Sequence, residues 1–149
     1  MHPARARPVL VFIVAIVALA SPALAAEIGQ IKVSKGQVTI ERDRQTLPAA
    51  VGTRLQASDI LNTGDDGSVG VTMTDNSLLS AGPNSILSLD RYEFDATTQQ
   101  GKFDASLQKG SLSVVSGRIA KQSPDAMTVR TPATILGVRG TEFVVSAGN

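Results

Sequence analysis

From Ile28 onward the chain alternates apolar and polar residues in short runs. Gly, Asn, Asp or Pro cuts these runs about every eight to twelve residues. Ile31-Lys32-Val33 alternates and stops at Ser34-Lys35-Gly36, and Val38-Thr39-Ile40 runs into the charged turn Glu41-Arg42-Asp43-Arg44. The clearest strand is Ser68–Thr74. Its Val69, Val71 and Met73 point one way, and Gly70, Thr72 and Thr74 the other, as a half-buried strand requires. Asp75-Asn76 turns it back into Ser77-Leu78-Leu79-Ser80, a hairpin partner. From Ile86 to Phe94 neither alternation is cleanly apolar, which predicts a bulge or burial on both sides. Phe103, Ala105 and Leu107 form one run, Leu112 and Val114 a second beyond Gly110, and Met127 and Val129 a third. Gly117–Asp125 is polar, contains Pro124, and reads as a flexible loop. No helical stripe appears. The pattern predicts one compact all-β domain of short strands, built as a jelly roll, a β-sandwich or a short β-helix-like stack.

The first 25 residues follow another pattern. Arg5 and Arg7 precede an apolar stretch over Pro8–Ala20, Ser21-Pro22 breaks it, and Ala23-Leu24-Ala25 offers small residues to a signal peptidase. Residues 1–25 are therefore expected to be a secretory signal peptide and residues 26–149 the mature β domain. The apolar core is short for a membrane span of roughly 20 residues, so no stable span is expected after cleavage. The expected location is periplasmic or secreted.

Export changes the charge balance. Of 14 Lys+Arg, Arg5 and Arg7 leave with the signal, so 12 remain against 13 Asp+Glu. No basic run remains to suggest nucleic acid or an anionic membrane. His2, the single His, also leaves, and Cys and Trp are absent, so the mature chain offers neither imidazole nor thiol. That excludes His-based triads, His-ligated metal sites and thiol chemistry. Neither an enzyme, a cofactor nor a metal centre is expected.

Two acidic clusters remain as candidate sites. Asp65, Asp66 and Asp75 lack EF-hand spacing, and Asp-Asp-Gly is an ordinary turn sequence. Asp90, Glu93, Asp95 and Asp104 surround Tyr92, the only tyrosine, and Phe94. An aromatic face beside carboxylates suits a sugar, so Tyr92, Glu93 and Asp95 are candidate ligand residues, although an aromatic at a strand end is more often core or rim. The last motif, Thr131–Val145, holds two apolar runs, Ile135–Val138 and Phe143–Val145, around Arg139-Gly140-Thr141. The Arg139 cation is either exposed at a bend or tucked inward against strand-end carbonyls. Arg139, Gly140 and Thr141 are read as a structural motif, with Gly140 free to take a positive φ.

Several segments in order resemble the FecR periplasmic domain family. Gly36-Gln37-Val38 and Leu47-Pro48-Ala49 resemble its opening strand pair. Residues Val51–Gly64 resemble its "G-x-x-L-x-x-G-D-x-I-x-T-G" core, with Ser58 in place of a Gly. Asp75–Leu79 resembles its "D-G-S" turn with Asn76 for Gly, and Gly82-Pro83-Asn84-Ser85 its "G-P-N-S" segment. Leu107–Leu112 resembles "L-x-x-G-x-L", and Thr131–Phe143 resembles "T-P-x-A-x-x-G-V-R-G-T-x-F". The resemblance implies a non-catalytic domain for envelope signal sensing or protein–protein interaction, with an outer-membrane or periplasmic protein as partner. Named family members add a cytosolic segment that controls a sigma factor. Only seven residues precede the apolar stretch here, so that role is not expected to transfer. A glycan or small envelope ligand bound near Tyr92 is the alternative.

Overall fold

The structure, a computed structural model, describes Pro3 and residues 25–123, 125–139 and 142–148. The expected signal segment lies almost wholly outside the described residues, as do Pro124, Gly140 and Thr141. The described residues form twelve strands and one short helix. They are β1 (Gly29–Lys35), β2 (Val38–Arg42), β3 (Gln45–Pro48), β4 (Arg54–Leu55), β5 (Ile60–Thr63), β6 (Ser68–Met73), β7 (Leu78–Ala81), β8 (Ile86–Phe94), β9 (Gly101–Val115), α1 (Arg118–Gln122), β10 (Met127–Arg130), β11 (Ile135–Gly137) and β12 (Glu142–Ala147). The all-β expectation holds, and the strands form a curled, mostly antiparallel sheet.

One sheet runs β4-β1-β6-β7-β9-β12 and the other β3-β2-β5-β8-β9-β10-β11. Strand β9 belongs to both. Its first half pairs with β8 and, in parallel, with β10, while its second half pairs with β7 and β12. The two runs expected on either side of Gly110 are thus one strand of 15 residues that bends. Gly110 makes the bend possible, with φ at +94°. A Cβ there would lie 2.0 Å from Ser85 Oγ, so only glycine lets β9 cross the Gly-Pro-Asn-Ser segment. Ser85 Oγ in turn accepts from the Ser111 N–H at 3.0 Å.

The inward faces of both sheets form one hydrophobic cluster. Val69, Val71 and Met73 of β6 point into it, as their alternation predicts, and so do Phe103, Ala105 and Leu107 of β9. Tyr92 meets Phe103 edge to face, with ring centroids 5.1 Å apart. The broken alternation of Ile86–Phe94 is a bulge. Ser88 pairs with Ser106 and Arg91 with Asp104, so β8 carries an extra residue between them. Leu87 points inward before the bulge and Tyr92 after it, a change of parity that one inserted residue produces.

The motifs quoted from the sequence interlock. Asp59, only 1% exposed, takes a bidentate pair from Arg42 at 2.8 and 2.6 Å and a bond from the Gln56 N–H at 2.8 Å. This anchors the end of β2 to the β4–β5 corner. Thr63 Oγ1 donates to the Gly82 carbonyl at 2.6 Å and accepts from the Ser85 N–H at 2.9 Å, which joins the "T-G" and "G-P-N-S" segments. Ser58 and Asn76, the two departures from glycine, take φ of +73° and +67°. Asn tolerates that region more readily than Ser.

Two stability predictions follow from these positions. Gly110→Ala should destabilise by about 2–4 kcal/mol through the Ser85 clash and the left-handed φ, read as a lower urea midpoint. Ser58→Gly should move that midpoint the other way, by about 0.5 kcal/mol or more, by relieving backbone strain.

Candidate functional site

One group of buried polar residues lies where the β6–β7 turn meets α1. Asp75 and Ser77 are both fully buried. One Asp75 carboxyl oxygen accepts from the Ser77 N–H at 3.0 Å, the other from Ser77 Oγ at 2.8 Å and from the Ile119 N–H at 3.2 Å. The Asp75 carbonyl accepts from the Arg118 N–H at 2.8 Å, and the Gly117 N–H donates to Ser77 Oγ at 3.0 Å. The first turn of α1 has no capping side chain of its own. A residue 44 positions upstream supplies the cap instead. Gly117 must be glycine, because a Cβ would meet the Asp75 carbonyl and the Ser77 nitrogen at 2.4 Å.

This corrects the loop expected over Gly117–Asp125. Residues 118–122 are helical, and Ile119 and Ala120 are buried against the core. A five-residue helix is too short to show a 3.6-residue stripe, and its cap is remote in sequence, so periodicity carried no sign of it.

Tyr92 belongs to this same buried hub. Its ring sits in the core, and its hydroxyl accepts from the Asp75 N–H at 2.8 Å and lies 2.8 Å from Thr74 Oγ1. Burial pushes its phenol above the ordinary tyrosine value of 10.0. Glu93 and Asp95 are exposed and face another way. With Arg91, Phe94, Gln100 and Lys102 they line a shallow open depression of about 660 Å³. The structure therefore separates the three candidate ligand residues, with Phe94 the aromatic beside the carboxylates. Asp95 is partly committed to its own loop, accepting from the Thr97 N–H at 2.8 Å.

The acids of the first cluster also separate. Asp66 accepts from the Gln37 N–H at 3.1 Å, while Asp75 serves the helix cap. Among the described residues no group of three or more His, Cys, Asp or Glu is placed to hold a metal.

Arg139 takes the exposed alternative. Its side chain is 77% exposed, and the still more exposed carboxylate of Asp125 lies 3.9 Å away. The adjoining Val138 is buried, and its N–H donates to Met127 at 2.9 Å. Gly140 and Thr141 lie outside the described residues, so the glycine geometry expected there is not on view. A hollow of about 420 Å³ is lined by the mostly apolar residues Leu136, Gly137, Val138, Phe143 and Val144 together with Arg139. Its far wall is β12, a strand that pairs only with β9 among the described residues. Alternate backbone groups of β12 therefore face away from β9.

The arrangement is that of an all-β domain whose buried acids serve structure and whose open features lie at strand ends. The FecR family model, described as FecR protein, matches residues 59–149. The chain belongs to the FecR family, whose members act in signalling. The match begins at Asp59, yet β1 to β4 lie in the same two sheets through β1–β6 and β2–β5 pairing. No curated protein and no solved structure matches the chain.

The hub makes two predictions. Asp75→Ala should cost about 3 kcal/mol or more, because it strips the buried Ser77 and Ile119 donors of their acceptor; calorimetry of the variant checks this. Tyr92 is neutral in the folded chain to higher pH than in the unfolded chain. Its contribution is therefore complete below pH 10.0 and declines as pH rises past that value. Denaturation across an alkaline series should show this decline in the wild type and lose it in Tyr92→Phe. Tyrosinate absorbance reports the single tyrosine directly.

Proposed function

We propose that this chain is a non-catalytic, exported FecR-family domain that senses signals in the bacterial envelope by binding another envelope protein. The observation that carries this reading is the free edge of β12 beside the apolar hollow. Strand β12, Glu-Phe-Val-Val-Ser-Ala, contains neither Lys nor Pro, the residues that commonly blunt an edge. An extended partner segment adding to this edge would gain main-chain hydrogen bonds. Its side chains would find the hollow between Leu136, Val138, Phe143 and Val144. Export rests on the Arg5–Ala25 signal pattern, and the envelope partner on the family's signalling role. The family's control of a sigma factor is not part of this proposal.

A second reading rests on the depression between Arg91 and Lys102. Charges of both signs there, beside half-buried Phe94, suit a small polar ligand such as a glycan fragment.

Proline substitution separates the two. Of Val144→Pro and Val145→Pro, one removes an N–H that faces β9 and the other an N–H that faces the free edge. The edge-facing variant should keep most of its thermal stability and lose crosslinked capture of a single dominant envelope protein. Retention on peptidoglycan that survives this change and disappears in Glu93→Ala would move the function to the depression.

A further inference from the structure

We propose that the hollow between β11 and β12 recognises one pair of side chains in an extended partner segment. The pair is an aromatic ring seated over Gly137 and, two positions away, a carboxylate held by Arg139. Both belong to the segment captured at β12, so the inference rests on that reading and names the chemistry of its partner.

Gly137 is a glycine that the fold does not require. Every other described glycine either takes a positive φ or would place a Cβ within 3.2 Å of another atom. At Gly137 φ is not positive, and among the described residues a Cβ would meet nothing within 4 Å. Glycine weakens a strand, because it loses more backbone entropy than alanine and packs no side chain. Here it leaves bare backbone on one wall of the hollow. Glycine in a strand often marks the close approach of another chain or a ligand.

Arg139 stands two residues further on. Gly137, Val138 and Arg139 are exposed, buried and exposed in turn, so Gly137 and Arg139 share the outward side. Among the described residues Asp125 alone forms an ion pair with Arg139, at 3.9 Å and with its own side chain 92% exposed. So wet a pair binds weakly. An incoming carboxylate can therefore take the guanidinium over.

These two neighbours select the occupant. The rest of the lining, Leu136, Val138, Phe143 and Val144, is apolar and suits an aromatic ring. A ring on a neighbouring strand is also the side chain that best covers an edge glycine. A carboxylate matches the planar fork of Arg139 with two parallel hydrogen bonds. An extended segment has a period of two, so its ring and its acid must stand on alternate residues, about 7 Å apart. Glu142, exposed at the start of the opposite wall, disfavours a run of acids. One carboxylate is expected, not an acidic tail.

Fluorescence anisotropy with the labelled peptide Thr-Val-Asp-Val-Phe-Val-Thr and the purified chain tests this pairing. The peptide should bind, and replacing its Asp by Asn or its Phe by Ala should each weaken binding by about tenfold. Thr-Val-Val-Asp-Phe-Val-Thr, which puts ring and acid on opposite faces, should bind as weakly. Gly137→Leu should fill the seat and lower affinity by a similar factor. Its thermal stability should hold, because the space over Gly137 is open. Arg139→Gln, at an exposed position, should make the Asp and Asn peptides bind alike, and it decides the matter if Gly137→Leu fails to fold. Equal binding of all four peptides, lost in the edge-facing β12 proline variant, would overturn the side-chain pair and leave strand capture standing. Absence of binding by every peptide would overturn both. A preference for Asp and Phe that survives the proline substitution would support the pair and remove strand pairing at β12.

Discussion

The domain depends on a buried carboxyl group that must find its donors. Asp75 lies fully buried where the β6–β7 turn, the β8 aromatic and the first turn of α1 converge. Burying such a group costs several kcal/mol unless its oxygens are hydrogen-bonded. The donors here are Ser77 in the same turn and Ile119 from a segment 44 residues on. Formation of the turn and docking of α1 are therefore one event. The exposed Arg139–Asp125 pair, at 3.9 Å and surrounded by solvent, stands at the other extreme and imposes no such condition.

Local pattern revealed what local physics decides. Alternation in Ser68–Thr74 identified β6 and its inward face, and the Asp75-Asn76 turn led into β7. The disturbed alternation of Ile86–Phe94 announced its bulge, because one inserted residue must move the apolar set to the other parity. Helix α1 and the unity of β9 were hidden, since both depend on contacts remote in sequence. The Gly110 bend is licensed by Ser85, and α1 by Asp75. The side-chain direction of Tyr92 was equally hidden. Composition made it an attractive ligand residue, but the bulge turns it inward, and Phe94 takes the place beside Glu93 and Asp95.

The family's short motifs acquire a common physical meaning once they meet in space. "T-G" and "G-P-N-S" join through Thr63 and Ser85, "L-x-x-G-x-L" supplies the glycine that crosses Ser85, and the "D-x-S" turn caps the helix. Each motif holds a corner where the chain changes sheet or direction. The outward surfaces are less constrained.

The sharing of β9 has a consequence for how the chain acquires its structure. The two sets of strands before residue 101, β4-β1-β6-β7 and β3-β2-β5-β8, share no strand until β9 arrives, and β12 pairs only with β9 among the described residues. Neither half can then mature as an independent unit. Closing the loops that bring β9 to four partners is slow relative to local pairing. A chain emerging from its amino end would remain loosely organised for about two-thirds of its length, then consolidate in a single late cooperative step.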